Sequence, residues 1–393
     1  MDMVTKTPKL NPNYWAIHGD YYDLNKFAKE HPGGAQVLEM GKGRDCTELF
    51  ESVHAIGNID KARLLMKKYK VVDEKPQGVE EHFLWKEGGF YDVLGKRVRE
   101  RFKGRNYKVS WLDLSKIYVM FVLYIYCWYQ AFILGNIVWA VGSGILTEMI
   151  GFCLLHEASH NAFSLRPSVN YLGLQWCGWM LWSPWLWLQH HCYGHHSFTG
   201  LYGKDPDVHN VDFLGGRKHI TTKKAPISSF QHYFIIPVLA FSPGQHIAQI
   251  LYYAFSPFFS DKIFSILQAL KPTNSLQFHF LLVASASLIF HFFFPLYYTQ
   301  DLKSVALAWI INYVLMGVSY WACVAPNHDT ISTFQNHPSC KVDWGEQQVT
   351  TFIVYFFFLH FTKLNDCFRY VVREITQFQI VYWINQSPVC GAQ

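Results

Sequence analysis

With 393 residues, a formal net charge of +5, 18% aromatic and only 16% charged side chains, the chain carries too little polar surface for a wholly water-soluble body. The near-zero mean hydropathy averages two unlike parts. Residues 1 to about 110 are charged and water-compatible, and the rest is dominated by Phe, Tyr, Trp, Leu and Ile. The positive balance gives no ground for a nucleic-acid partner, because Lys and Arg gather beside apolar runs, as from Arg97 to Lys108, in the positive-inside pattern.

Met1 to Lys9 is polar and no apolar core follows soon after, so no cleavable signal is expected and the N-terminal domain is expected in the cytosol. Nine cysteines form no CxxC pair, which argues against a disulfide framework and against a cysteine zinc site.

The first informative segment runs YWAIHGDYYDLNKFAKEHPGG, then GRDCTELFESVH, and ends KKYKVV at Val72. His31 and His54 each follow an amphipathic stretch, and glycines 33 and 34 let the backbone turn so that the His31 ring points across a cavity. Two such rings clamp haem iron from both faces, which leaves no open iron position and suits electron transfer. Val37, Leu38, Leu49, Phe50 and Leu65 supply apolar walls, and Glu39, Asp45, Glu48 and Glu51 are expected to ring the cavity mouth for a basic redox partner. Residues 5 to 75 resemble a cytochrome b5 domain, with His31 and His54 matching its axial ligands. Residues 76 to 110 form a charged linker, with PQG and EGG, that reads as a mobile tether.

Apolar runs at about 114 to 134, 136 to 155, 278 to 298 and 303 to 325 are each long enough to cross ~30 Å of hydrocarbon as a helix. Tyr171 to Leu188, with Trp176, Trp179, Trp182, Trp185 and Trp187, reads as a re-entrant or surface-lying segment, and the proline-broken stretch 234 to 259 as interfacial. The expected fold is therefore multi-domain: a small α+β haem-binding domain, then an all-α membrane domain of about four spanning helices plus interfacial helices. This topology brings every histidine cluster to the membrane face that holds the haem.

Six of the nineteen histidines lie in HEASH (His156 to His160) and HHCYGHH (His190 to His196), beside runs of membrane-span length. Ionisable clusters at that depth are metal or proton sites by default. On an α-helix His156 and His160, like His191 and His195, are i and i+4 on one face, and His196 is turned by ~100° toward a second ion or the far side of the first. Imidazole alone leaves the metal open, but a partner fed single electrons by a haem must be redox-active, which favours iron. Glu157, Asp205 and Asp207 are expected to orient ligand rings. His156, Glu157 and His160 also satisfy HExxH, the pattern of a zinc protease.

HEASHNAF, QHHCYGHHSFTG and DPDV, taken with the haem segment, resemble a front-end fatty acid desaturase with fused cytochrome b5, over residues 5 to about 351. The resemblance implies haem b and two non-haem iron ions held by His156, His160, His191, His195 and His196, with His328 of APNHDT as a further ligand. It also implies a long-chain polyunsaturated acyl substrate, O2, an NADH-dependent cytochrome b5 reductase as donor, and a multi-pass place in the endoplasmic reticulum membrane. DWGEQQVTT at 343 to 351 matches the approach to a third box, QxxHH, which this sequence does not contain. The tail from 352 to 393 is divergent, and His337 and His360 are the stand-ins it leaves. A membrane-anchored haem protein with an incomplete metal site is the alternative.

Overall fold

The computed structural model describes residues 10–55, 59–79, 81–104, 108–208, 225–240, 274–328 and 342–351. The divergent tail, His337, His360, most of the proline-broken stretch and the His328 side chain lie outside the described residues.

The haem-type domain opens with an antiparallel hairpin, β1 (Trp15–Ile17) and β2 (Asp20–Tyr22), in register Trp15 to Tyr22. Three helices follow, α1 (Ala35–Gly41), α2 (Thr47–His54) and α3 (Ile59–Met66). Trp15, Ile17, Leu24, Met40, Leu49 and Phe50 form the core between hairpin and helices.

The expected mobile tether is corrected. Residues 81 to 102 are a packed strap: Leu84 bridges Asp343, α4 (Phe90–Phe102) packs on the helix Trp344–Thr351, and Trp85 stacks on Trp344 at 5.8 Å. The Tyr91 hydroxyl donates to the Glu51 carbonyl at 2.6 Å and Arg99 to the Ala55 carbonyl at 2.9 Å. The aromatic and Arg side chains scattered among the charges of this segment give it the surface to dock, which a flexible linker lacks.

Four helices are long and apolar enough to cross a membrane, Trp111–Ile133, Trp139–Ser159, Leu281–Thr299 and Leu302–Cys323. The first begins with a capping box: the Ser110 hydroxyl accepts from the Asp113 N–H at 3.2 Å while the Asp113 carboxylate receives the Ser110 N–H. α5 (Trp111–Trp128) packs on α6 (Trp139–Gly151), and α6 packs on the long α12 (Leu302–His328), preceded by α11 (Asn274–Leu288). At the α6–α12 crossing a Cβ on Gly144 would collide with the Asn312 carbonyl, so the backbones meet through a small residue, as membrane helices do.

Between the spans lie α7 (Pro167–Leu174), α8 (Trp176–Trp179) and α9 (Pro184–Trp187). The tryptophan segment does not form one long helix, and its surface-lying reading is corrected. Trp182, Trp185 and Trp187 are buried, in one apolar cluster with Leu155, Cys177 and Met180. α10 (Gln231–Ala240) packs on α12, and α13 (Trp344–Thr351) carries the strap contact.

Candidate functional site

The haem pocket lies between α1 and α2. The His31 and His54 ring centres are 6.3 Å apart. Two imidazoles bonded end-on to one metal at about 2 Å each have centres roughly 6 Å apart. The His31 Nδ1 bonds the Gly34 carbonyl at 3.2 Å and the His54 Nδ1 the Phe50 carbonyl at 2.7 Å. A carbonyl partner fixes the proton on Nδ1 and leaves each Nε2 lone pair available to iron. Burial pulls both rings below the usual histidine range, which keeps them neutral and able to ligate. Phe27 meets His31 edge-on, and Phe50 lies 4.6 Å from His54. The residues present fit a bis-histidine haem.

The expected acidic rim is corrected in two places. Glu51 is fully buried, receiving Arg63 at 2.8 Å and 2.9 Å and pairing with His18 at 2.8 Å. Burial raises its carboxyl, but the His18 and Arg63 hydrogen bonds outweigh it and hold the group below the usual range. Glu48 is also buried, and burial, then the Asp45 charge, pushes it up to about 8. Glu51 turns inward onto His18 and Arg63, and α2 as a whole packs on the turn His196–Phe198.

The second centre is built on π-helix. α6 continues through a π turn, Phe152–His156, before the short α turn Glu157–Ser159, and α9 continues through a π segment, Leu188–His195. π turns interrupt α-helices mostly at functional sites. His156, His160, His191 and His196 offer ligand nitrogens that all lie within 4.8 Å of one another. The ring centres are 4.9 Å apart for His156 and His160, 4.5 Å for His160 and His196, and 4.4 Å for His191 and His196. The two Nε2 atoms of His191 and His196 face each other at 3.0 Å. His160 Nε2 is buried with no hydrogen-bond partner among the described residues. An orphaned buried imidazole nitrogen aimed among three other rings is what a metal would satisfy, so the set fits an ion. Burial, reinforced by neighbouring rings, moves His160 down to about 3 and His191 well below the usual range, so both are neutral ligands. Trp187 stacks on His191 at 4.3 Å and fixes its plane.

The α-helical pairing of His191 with His195 is corrected. The i→i+5 repeat of a π segment puts His196, not His195, beside His191. His195 is 1% exposed, and its Nδ1 lies 3.1 Å from both Asp205 oxygens and 3.2 Å from an Asp207 oxygen. Its ring centre is still 5.2 Å from that of His196. Asp205 is held in turn by the Gly200 and Asp207 N–H groups at 2.7 Å and 2.9 Å. His195, Asp205 and Asp207 thus form a second group able to bind a metal, or a carboxylate-backed ring beside the first. The extra His190 pairs with Asp207 at 2.6 Å, and Glu157 lies 3.5 Å from His156. His328 ends α12.

Sequence reasoning missed Arg44, Asn161, Gln189 and Tyr193. Arg44 donates to the Gln189 side chain and lies over the Tyr193 ring at 5.0 Å, and the Tyr193 hydroxyl donates to the Asp45 carbonyl at 2.8 Å. The signal available for each was only its place inside a quoted motif, GRDCTELFESVH for Arg44, HEASHNAF for Asn161 and QHHCYGHHSFTG for Gln189 and Tyr193.

A family model described as cytochrome b5-like heme/steroid binding domain matches residues 2–73, and one described as fatty acid desaturase matches residues 137–362. The chain is 31% identical over 231 residues to a probable Delta(5) fatty acid desaturase C of Dictyostelium discoideum, covering 53% of this chain and 48% of that protein. It is 33% identical over 210 residues to an acyl-lipid (8-3)-desaturase of Mortierella alpina, covering 50% and 45%. An acyl-lipid (7-3)-desaturase of Rebecca salina is 31% identical over 232 residues, covering 58% and 49%. The chain spans about half the length of these curated relatives. No solved structure matches it.

Proposed function

Because the chain belongs to the fatty acid desaturase family and carries a fused cytochrome b5-like domain, we propose that it is a multi-pass membrane desaturase that introduces a double bond into a polyunsaturated acyl chain. The convergence of His156, His160, His191 and His196 around the unsatisfied His160 nitrogen, on the same side as the haem pocket, carries this reading. In it residues 5–75 carry haem b, 76–110 are the strap, 111–351 hold the chemistry, and 352–393 are a divergent tail. When bound, a histidine-held pair of irons supplies the activation of O2 that removes two hydrogens from the acyl chain.

The four converging rings hold the first ion in this reading. His195, its tautomer set by Asp205, serves the second with His328, and the sequence offers His360 in place of the missing doublet. His31 and His54 hold a haem that passes electrons originating in NADH and relayed by a cytochrome b5 reductase. Glu39 and Asp45 are the acidic residues of the expected rim left half-buried for that partner, since Glu48 and Glu51 are buried. The endoplasmic reticulum, with the haem domain cytosolic, is the location that fits the positive flank at Arg97 to Lys108.

The absence of QxxHH from the sequence favours one second reading, a haem protein with a single ion or none at the histidine centre. The zinc protease is disfavoured by geometry: His191 and His196 close around the ion with His156 and His160, whereas a catalytic zinc keeps an open position. Metal analysis of the purified full chain separates the three. Two irons per haem support the desaturase, one or none the second reading, and zinc without haem the protease. Conversion of an added polyunsaturated acyl lipid in NADH-supplied microsomes is the direct test.

A further inference from the structure

We propose that Asn161 bridges the haem ligand His31 to the histidine centre, and that Arg44 and Tyr193 dock the haem domain so that this bridge closes. The inference rests on the desaturase reading above and assigns where the electron enters.

Asn161 follows His160 directly and adopts a left-handed backbone, φ 53°, which turns its side chain away from the helix it ends. Its carbonyl receives Lys108 Nζ at 2.6 Å and its Oδ1 receives the Asn170 amide at 3.3 Å. With the oxygen engaged there, the Nδ2 faces Gly33 of the haem domain. A Cβ on Gly33 would sit 2.9 Å from Cε1 and 3.2 Å from Nδ1 of His31, and 3.4 Å from Asn161 Nδ2. Any side chain at position 33 would therefore press on the haem ligand and fill the space up to contact with Asn161. Glycine lets the ring and the amide share one face of the backbone. The path is His31 ring, Gly33 backbone, Asn161 amide, His160 ring. Beside it lies a cavity of about 270 Å³ lined by Gly33, Val37, Ser159, Asn161 and Leu188, residues of both domains.

The second contact holds this one in place. α1, which begins just after the His31 loop, packs on the π segment Leu188–His195. Arg44 reaches Gln189 and covers the ring of Tyr193, whose hydroxyl donates to the Asp45 carbonyl. Leu155, Leu174 and Leu188 share one apolar cluster with Met40 and Leu49, so the docking is part of the core. The strap contacts of Tyr91 and Arg99 reach the haem domain but not the histidine centre. With both groups bound, the haem held by His31 and His54 would give up one electron, passing from ferrous to ferric, and an iron held by His156, His160, His191 and His196 would take it, passing from ferric to ferrous. No bond forms or breaks at Asn161, and no proton moves there.

Asn161→Gly keeps the left-handed backbone and the carbonyl that Lys108 binds, and removes the amide. In the full chain loaded with haem and iron, the haem is reduced anaerobically by one equivalent of dithionite and its reoxidation followed by absorbance. We expect Asn161→Gly to slow reoxidation by roughly 10- to 100-fold, the loss typical of groups just outside a metal's ligands, with haem spectrum, haem potential and iron content as in the wild type. Arg44→Ala, which removes a docking contact to Gln189 and Tyr193 and no proposed metal ligand, is expected to slow it too, so the test survives a folding defect at position 161. A second readout needs no iron: in haem-loaded, iron-free protein, Arg44→Ala and Tyr193→Phe are expected to increase deuterium exchange in residues 188 to 196. Wild-type reoxidation in Asn161→Gly overturns the bridge, as does a loss of iron in that variant. Unchanged exchange overturns the docking. A wild type that binds no iron overturns the desaturase reading itself, a different outcome from a wild type that transfers rapidly and variants that match it.

Discussion

Asp205→Asn tests whether His195 serves the metal centre through its carboxylate partner. The variant keeps the shape of the side chain but removes its charge and turns an N–H2 group toward donors. Asp205 now accepts from His195 Nδ1 at 3.1 Å on both oxygens, from the Gly200 N–H at 2.7 Å and from the Asp207 N–H at 2.9 Å, all at a residue 2% exposed. A buried donor left without its acceptor costs about 1 to 3 kcal/mol. Loss of a carboxylate that orients a ligating histidine weakens metal binding or activity by roughly 10- to 100-fold, or about 1.4 to 2.8 kcal/mol. Asp207 is the comparison: it also reaches His195 Nδ1, at 3.2 Å, but its other oxygen serves His190, whose side chain is 48% exposed, so Asp207→Asn is expected to cost less than Asp205→Asn. The assay is iron retained per haem across a chelator series, with acyl desaturation measured on the same samples. Asp205→Asn holding its iron at chelator concentrations that strip Asp207→Asn would refute the argument.

Four further outcomes are expected. His160→Ala and His196→Ala should lose iron while keeping the haem absorption band, and a normal iron content in either would remove that residue from the centre. His31→Ala or His54→Ala should lose the haem band, keep iron, and abolish NADH-driven turnover. Glu51 has a carboxyl held low in the folded chain, so its stabilising contribution is present above the unfolded value of 4.5 and is lost as pH falls through the folded one. Glu51→Gln should flatten the acid limb of the melting curve of the haem domain, monitored in the full chain by haem absorbance. Glu48 runs the other way: with a folded value of about 8 against 4.5 unfolded, it is fully accommodated below pH 4.5, and stability falls as pH rises toward 8. Glu48→Gln should therefore raise stability at pH 7, by on the order of 3 kcal/mol at most, and an unchanged melting temperature there would contradict the burial of this carboxyl.

Two domains, four spans and two histidine boxes were legible because each rests on a pattern that survives tertiary context. A spanning helix needs an uninterrupted apolar run, and a pair of haem ligands needs apolar walls at both rings. The strap was not legible because docking of Trp85 and Tyr91 depends on Trp344 and Asp343, some 250 residues away, which no local window contains. The acidic rim failed for a related reason. Glu48 and Glu51 look solvent-facing on α2 until tertiary packing buries them, Glu51 against His18 and Arg63. Trp182 and Trp185 read as interfacial by composition, yet they lie buried in the apolar cluster beside the metal centre, where Trp182 stacks on Trp187 and Trp187 on His191.

The pairing of the histidines is the sharpest case, because it turns on a single residue of helical register. HxxxHH read on an α-helix sets His191 beside His195, and leaves His196 looking elsewhere. Widening the turn to π exchanges their roles: His196 joins His191, and His195 swings to Asp205 and Asp207. The first box tolerates the same device differently. There the π turn ends at His156, and the α turn that follows still brings His160 to 4.9 Å from it. A variant that deletes one residue from the π segment, such as Cys192, should restore α register with His196 at i+4 from His191, so that the pair stays on one face and iron is retained. Iron lost on that deletion, with haem retained, would mean that the π turn does more than set the pairing of His191 with His196.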